Sequence, residues 1–290
     1  LRSLKYRAHV ADTQNRLAIR NQTSEATLKN IVVCMKQVLD PEIPLSLFRI
    51  DPEARTAIPP KATPPVLSPF DESALEAALQ IKDAQEATVT VISLGKKFVR
   101  AVVTAPLAAG ADQLFLLQDG AFDEFDTHFT ASALAAAIGK LGQCDLILCG
   151  LQAADTNSGQ VGTIIAGLLG IPCITAARKV GLEGDKVIVE RSLPDGYEVL
   201  EVPCPAVVTT TYEVGSLREP GVEAFMSAGQ KPITTWSAAD LGIDPGAAKQ
   251  FEIVTMETPV HEGRCEIIEG AGPEEKAREL LTRLRETKAI

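Results

Sequence analysis

The sequence lacks the features that define metal-binding, disulfide-stapled and membrane-spanning proteins. Its six cysteines form no Cys-x-x-Cys pair, and its three histidines have no metal-ligand spacing. Such cysteines are expected to be reduced thiols that pack as small apolar side chains. No apolar run reaches the ~18–20 residues that a membrane-spanning helix needs. We therefore expect no metal site, no membrane span and a cytoplasmic location.

Clusters of basic residues are also missing from most of the chain. The net charge is −10 and the pI is about 4.9. Nucleic acids and anionic membranes are bound by clustered Lys and Arg, so this balance argues against both as partners. The 290 residues, 46% of them apolar, are enough for one core of roughly 200–250 residues with appendages, or for two small domains.

The first 29 residues differ from the rest, with six Lys or Arg against only Asp12 and Glu25. An Arg-rich, acid-poor start is typical of an organelle-targeting peptide, which would place the protein in the mitochondrial matrix. A tag or an upstream extension fits equally well. We treat residues 1–29 as an N-terminal extension outside the folded core.

From residue 30, strand patterns alternate with helix patterns. The predicted strands cover 31–35, 87–95, 113–118 and 145–150, and the predicted helices cover 69–84, 97–109, 126–141 and 159–170. This alternation predicts an α/β fold, a Rossmann-like sandwich in which helices cover both faces of a parallel sheet.

The pattern changes beyond residue 174. Residues 177–211 alternate apolar and polar side chains around two turns, which predicts an antiparallel hairpin and a return strand. An amphipathic helix is predicted at 273–286, after a long irregular stretch. We therefore assign 30–230 to an α/β domain and 231–290 to a C-terminal arm that lies outside its core. An ordinary helix packed on its own domain is the alternative.

The loop at 150–163 is the main candidate for a ligand site. It joins a predicted buried strand to a helix N-terminus, where backbone N–H groups and the helix dipole favour a phosphate. Gly159 and Gly162 would let the backbone approach a ligand closely, and Asp155 and Gln160 could hold sugar hydroxyls or base edges. Neither Gly-x-Gly-x-x-Gly nor a P-loop is present, so an ordinary strand-to-helix loop remains the alternative.

Asp126, Thr127 and Thr130 begin another predicted helix and form a similar candidate site. An N-capping aspartate with a hydroxyl in the first turn also needs no ligand. No Ser, His and Asp are placed as a nucleophile with its base, so no catalytic residue is predicted. The pattern favours a protein that binds a redox or structural nucleotide.

Several motifs resemble the beta subunit of electron transfer flavoproteins. They are 32–40, 68–83, 110–113, the loop GLQAADTNSGQVG at 150–162, and a longer pattern from Val189 to Thr209. In the last pattern, Pro194 stands where the family usually has an acid. The similarity runs from about Asn30 to the C-terminus.

The resemblance implies an adenine nucleotide hydrolase-like fold and a heterodimer with an alpha subunit that carries FAD. The pair would shuttle electrons between dehydrogenases and acceptors, and this chain would bind a nucleotide in its core while its arm wraps the partner. The residues assigned to that nucleotide are Cys34, Ser68, Pro69, Phe70, Asp71, Asp126, Thr127, Thr130, Gly150, Gln152, Ala153, Asp155, Asn157, Ser158, Gly159, Gln160, Val161, Gly162 and Thr163.

Two branches of the family differ in the nucleotide that this subunit holds. Simple members hold AMP, whereas electron-bifurcating members hold a second FAD, accept a hydride from NADH and pass electrons to two acceptors such as ferredoxin and a quinone. Gln160-Val161-Gly162 resembles the bifurcating pattern, as does the start of the helix at Asp126. Thr163 stands where that branch commonly has proline. The sequence thus favours FAD over AMP, and only the FAD-binding branch would make the chain part of an NADH-dependent enzyme.

The segment 221–233 departs from the family, whose longer loop carries a Leu-Pro that anchors redox partners. Here Phe225 or Met226 would serve as the exposed apolar anchor, so a different set of dehydrogenases or quinone oxidoreductases is expected to dock. A stand-alone adenine-nucleotide sensor of the related fold and a purely structural subunit are the alternative functions.

Overall fold

The computed structural model describes residues 29–44, 46–60, 63–122, 126–248, 253–258 and 265–290. The expected N-terminal extension therefore lies, apart from Lys29, outside the described residues. The strands are β1 (Lys29–Cys34), β2 (Gln37–Val38), β3 (Arg49–Asp51), β4 (Thr56–Ile58), β5 (Val66–Leu67), β6 (Ala87–Gly95), β7 (Gln113–Gln118), β8 (Leu146–Gly150), β9 (Cys173–Glu183), β10 (Lys186–Leu193), β11 (Gly196–Pro203), β12 (Ala206–Thr210) and β13 (Ile233–Trp236). The helices are α1 (Pro69–Ala84), α2 (Arg100–Val103), α3 (Ala105–Ala109), α4 (Thr127–Leu141), α5 (Val161–Leu169), α6 (Val222–Ala228), α7 (Pro245–Ala248) and α8 (Pro273–Glu286).

Nine strands form one sheet in the order β11-β10-β9-β12-β8-β1-β6-β7-β13. The strands from β9 through β12 to β13 pair in parallel, and β9, β10 and β11 pair antiparallel at one end. The predicted α/β fold, with its parallel sheet and antiparallel hairpin, is confirmed. In the described part of the chain, no helix combines the length and the apolar character needed to cross a membrane.

Two apolar cores cover the two faces of the sheet. Val32, Ile92 and Ile147 face a core that includes residues of α4 and α5, whereas Val33 and Val91 face a core that includes residues of α1 and α3. Successive residues of a strand point to opposite faces, so the buried strands are apolar at nearly every position. This three-layer arrangement fixes the ends of the central strands.

The helix predicted at 97–109 is divided into α2 and α3, which meet at Thr104. Pro106 explains the division, because it has no N–H to donate and its ring would clash with the carbonyl of Val102 in a continuous helix.

The segment expected to be an arm begins with β13, which pairs in parallel with β7 at the edge of the main sheet. Residues 233–236 therefore belong to the sheet, and the boundary at 230 separates one of its strands from the rest. At the other end of the segment, α8 buries no residue. We therefore keep the arm as a proposal only for the residues beyond α7.

Candidate functional site

The strand order reverses at β1, where a cleft opens. β6 pairs with one edge of β1 and β8 with the other, and the chain reaches them through helices on opposite faces. The loops that follow β1 and β8 therefore diverge, and in open α/β sheets ligands bind at this point. About 690 Å³ of space lies within the cleft, part of it open to solvent.

The structure brings many of the predicted residues together here. Those that line the cleft are Cys34, Asp71, Thr127, Thr130, Gln152, Ala153, Ser158, Gly159, Gln160 and Val161. The predicted residues that do not line it are Ser68, Pro69, Phe70, Asp126, Gly150, Asp155, Asn157, Gly162 and Thr163.

Thr130 lines the cleft and carries a buried polar atom with no protein partner among the described residues. The residue lies in the first turns of α4, and its Oγ1 is buried without a hydrogen-bond partner among the described residues. A buried hydroxyl left without a partner costs about 1–3 kcal/mol.

The N-terminus of α5 forms one wall of the cleft. Gln160 is its N-cap residue, but its side chain makes no capping bond to the helix. Instead, Gln160 Oε1 accepts a hydrogen bond from Thr127 Oγ1 at 2.9 Å, which joins the starts of α4 and α5. Gly159 supplies a left-handed residue, with φ +62°, just before the helix. The arrangement leaves the first turn of α5 facing the cleft without a side-chain cap, as a phosphate site requires.

Asp71 is a buried carboxylate that ties the ends of β1 and β8 together. Its two oxygens accept hydrogen bonds from the Lys36 N–H at 2.8 Å and the Gly150 N–H at 3.0 Å. Burial raises the pKa of Asp71 to about 7, against the opposing effect of these two donors and of the Lys36 ammonium. The Asp71 carboxyl is therefore partly protonated near neutral pH.

Lys36 and Asp155 form an ion pair across the mouth of the cleft. Lys36 Nζ lies 2.7 Å from Asp155 Oδ2, and both side chains are largely buried. Because Asp155 faces Lys36 and does not line the cleft, the pair connects the loop after β1 to the loop after β8.

The start of α1 contacts the loops that follow β1 and β8. Ser68 occupies the predicted N-cap position, but its hydroxyl makes no capping bond and instead accepts the Ala154 N–H at 3.3 Å. The Phe70 ring stacks on Tyr212, with ring centroids 3.8 Å apart. This predicted segment therefore holds the walls of the cleft in place, and only Asp71 reaches its surface.

Gly150 and Gly162 are needed for packing within the protein. A Cβ at Gly150 would lie 2.4 Å from Asp71 Oδ1, and one at Gly162 would lie 2.6 Å from Thr209 Cγ2. Packing against Thr209 of β12 thus explains Gly162 without a ligand, and its role beside a ligand stays a prediction. Gly159 keeps the predicted position beside the cleft.

Three other predicted residues stabilise local backbone. Asp126 is fully buried and caps α4 by accepting the Phe129 N–H at 2.9 Å. Thr163 Oγ1 donates to the carbonyl of Gln160 at 2.7 Å, and Asn157 adopts a left-handed conformation with φ +49°. These contacts account for the residue types without a ligand.

The prediction missed several residues of the cleft, namely Met35, Lys36, Leu94, Leu134 and Cys149. Leu151 and Thr156 also line it, and both lie within the predicted 150–163 loop although neither was singled out. Lys36 had a usable signal, because it follows the first predicted strand by one residue and the ends of parallel strands hold ligands. The apolar ones carry no local signal, since they look like ordinary core residues.

A family model described as the electron transfer flavoprotein domain matches residues 61–241. The chain is also similar to curated proteins over most of its length. It is 38% identical, over 265 residues, to "Caffeyl-CoA reductase-Etf complex subunit CarD" of Acetobacterium woodii, an alignment that covers 90% of this chain and 99% of that protein.

Two further relatives carry the description "Electron transfer flavoprotein subunit beta". The protein of Thermoanaerobacterium thermosaccharolyticum is 39% identical over 266 residues, which cover 90% of this chain and all of that protein. The protein of Clostridium acetobutylicum is 41% identical over 215 residues, which cover 74% of this chain and 81% of that protein.

Proposed function

Since the chain belongs to the electron transfer flavoprotein family, as a beta subunit that acts in electron transfer, we propose that the cleft between β1 and β8 binds an adenine nucleotide. The partner-free hydroxyl of Thr130 carries this proposal, because Thr130 lines the cleft and a ligand there would supply the partner that its buried hydroxyl lacks. We propose FAD as this nucleotide, with AMP as the alternative.

The residues around the cleft fit a nucleotide in three ways. The first turn of α5 would hold a phosphate through its N–H groups and dipole. The Thr130 hydroxyl would form a hydrogen bond with the ligand, and Leu94 and Leu134 supply apolar surface for a ring. When bound, FAD supplies the redox chemistry, whereas AMP supplies none.

The choice of FAD is supported by the residues at the start of α5 and by one relative. Gln160-Val161-Gly162 follows the bifurcating pattern, and CarD of Acetobacterium woodii is named as a subunit of a complex with caffeyl-CoA reductase. By extension, this chain and an alpha subunit would accept a hydride from NADH and pass its two electrons to separate acceptors, ferredoxin and a quinone. We also propose a cytoplasmic location, which these bacterial relatives favour over a mitochondrial matrix.

Two surfaces support the proposal of partner chains. α8 carries Leu280 and Leu281 on a helix with no buried residue, so we propose that it docks on the alpha subunit. On α6, Val222, Phe225 and Met226 are 80%, 70% and 76% exposed. Large apolar side chains grouped in this way mark interaction sites, and we propose that α6 contacts redox partners in place of the family's Leu-Pro loop.

The nucleotide content of the purified heterodimer tests this function. The chain is expressed with its alpha subunit, and the nucleotides released by heat are separated and counted. Two FAD per heterodimer are expected. One FAD with one AMP would support simple electron transfer, and a heterodimer with no nucleotide attributable to this chain would contradict both. A monomer that binds ATP without a partner would instead favour the stand-alone sensor.

Thr130→Val separates ligand binding from folding. Valine has nearly the shape of threonine without the hydroxyl, so the fold loses no internal hydrogen bond and the ligand-free variant is expected to melt at the temperature of the parent protein or above it. Loss of a ligand hydrogen bond costs about 1 kcal/mol, so binding of the nucleotide should weaken about fivefold.

The matched control is Ser132→Ala in the same helix, because the Ser132 hydroxyl donates to the His128 carbonyl at 2.8 Å and does not line the cleft. Isothermal titration of the nucleotide into stripped protein compares the two variants. Equal affinities for Thr130→Val and the parent protein would remove the main support for the proposed site.

A further inference from the structure

Two thiols lie side by side at the floor of the cleft. Cys34 ends β1 and Cys149 lies near the end of β8, and the two residues are directly opposite in the parallel pairing of these strands. Both face the core formed with α4 and α5, and both line the cleft. The two residues are 6% and 5% exposed, so the cleft is their route to solvent.

We propose that Cys34 and Cys149 form a dithiol site for trivalent arsenicals, in which one arsenic bridges both sulfurs. The reagent would enter through the cleft and stay at its floor. Bridging is favoured because adjacent strands hold the two thiols together before the reaction, so the second bond forms within the same molecule.

The chemistry balances without an oxidant or a reductant. With an organoarsenic(III) oxide, two As–S bonds form, two S–H bonds and the As=O bond break, and the oxygen leaves with both protons as water. Arsenic remains trivalent and both sulfurs remain at their original oxidation level. The product carries no net charge.

The absence of charge matters in this environment. The neighbouring Cys34 thiol, together with burial, raises the pKa of Cys149 well above its usual range. A site that disfavours the thiolate accepts a neutral adduct more readily than a soft cation held by two separate negative sulfurs. Among the remaining cysteines, Cys173 and Cys265 are exposed and would give single-thiol adducts.

Mass spectrometry of the full chain tests the site with phenylarsine oxide as the probe. After any bound nucleotide is washed out, one equivalent should give a single adduct. This adduct should survive a hundredfold excess of a monothiol and be removed by 2,3-dimercaptopropanol. Peptide mapping of the adduct should locate it on Cys34 and Cys149.

Variants supply the controls. C34S and C149S should each lose at least 90% of the monothiol-resistant adduct, whereas C173S and C265S should keep it. Peptide mapping of the adduct in the parent protein tests the site even if a serine variant does not fold. A monothiol-resistant adduct on any other cysteine, or one that survives unchanged in folded C34S or C149S, would overturn the proposal.

The rate of adduct formation in the presence of a nucleotide provides a separate test. If the cleft holds the nucleotide proposed above, prior addition of FAD or AMP should slow formation of the adduct at least tenfold. An adduct that forms on Cys34 and Cys149 at the same rate with and without nucleotide would support the dithiol site and contradict the nucleotide assignment. The two proposals can therefore fail independently.

Discussion

Gly150→Ala is expected to lower the free energy of unfolding by about 3 kcal/mol. A Cβ at this position would lie 2.4 Å from Asp71 Oδ1 and 2.7 Å from the backbone carbon of Phe70. Contacts of this length cannot be relieved by a flexible side chain, because Phe70 belongs to the buried first turn of α1 and Asp71 is held by two hydrogen bonds. Strand β8 and helix α1 must separate to admit the methyl group.

Gly181→Ala is the matched control, since Gly181 also lies in a strand of the main sheet but a Cβ there meets nothing within 4 Å. This variant should be as stable as the parent protein or slightly more stable, because alanine loses less conformational freedom on folding. Urea unfolding followed by circular dichroism measures both. An equal loss in the two variants would show that the cost comes from strand glycines in general and not from the contact with Asp71.

The same change should also weaken nucleotide binding, since β8 leads into the loop that forms one wall of the cleft. Displacing the strand would move Leu151 and Gln152 relative to Cys34. A folded Gly150→Ala protein is thus expected to bind nucleotide more weakly even though Gly150 does not line the cleft.

Local sequence patterns were sufficient for most of the elements. The bounds predicted for α1, β6, β7 and α8 agree with the structure, because each has an unambiguous apolar periodicity and clear end signals. The single helix predicted at 97–109 is wrong because the apolar periodicity continues across Pro106, whereas a regular helical backbone is interrupted there. The joining of β13 to β7 also escaped prediction, since a four-residue strand at a sheet edge has almost no pattern of its own.

The candidate site was predictable as a place but not in its details. The pattern of a strand followed by a small polar loop and a helix located the 150–163 loop, and the family resemblance added Cys34. Whether a glycine faces a ligand or a neighbouring strand depends on contacts between distant residues. Gly162 packs against Thr209, 47 positions later in the sequence, and no local pattern contains that information.

Asp71→Asn is expected to change the pH dependence of stability. The pKa of Asp71 rises from its ordinary value of 3.8 to about 7 in the folded protein, mainly through burial. Between these pH values the folded state holds a proton that the unfolded state releases. The contribution of Asp71 to stability is therefore fully present below about pH 4 and is lost as the pH rises through 7.

The size of the effect follows from the same shift. One pKa unit corresponds to about 1.4 kcal/mol, so the rise to about 7 corresponds to about 4 kcal/mol. Asparagine does not titrate. The difference in unfolding free energy between the parent protein and Asp71→Asn should thus move by about 4 kcal/mol in favour of the variant between pH 4 and pH 8.

The charged groups around Asp71 determine how the experiment is designed. The Lys36 ammonium lowers the pKa of Asp71, whereas the carboxylate of Asp155 on the neighbouring loop raises it. The charge of Asp71 in turn raises the pKa of the Cys149 thiol. Because asparagine offers only one acceptor to the N–H groups of Lys36 and Gly150, a constant loss of about 1 kcal/mol is expected at every pH. Only the change with pH reports the titration, so urea unfolding is measured at several values from pH 4 to pH 8.

Asp185→Asn in the exposed turn between β9 and β10 removes one carboxylate without touching the cleft. Its stability should follow that of the parent protein across the same pH range, which separates the effect of net charge from the effect of burial. Parallel profiles for the parent protein and Asp71→Asn would mean that the two backbone donors and Lys36 keep the carboxylate ionised. In that case the charge of Asp71 would remain beside any phosphate in the cleft, and the first turn of α5 would have to offset it. The pH profile of Asp71→Asn therefore bears on the nucleotide site as much as on the fold.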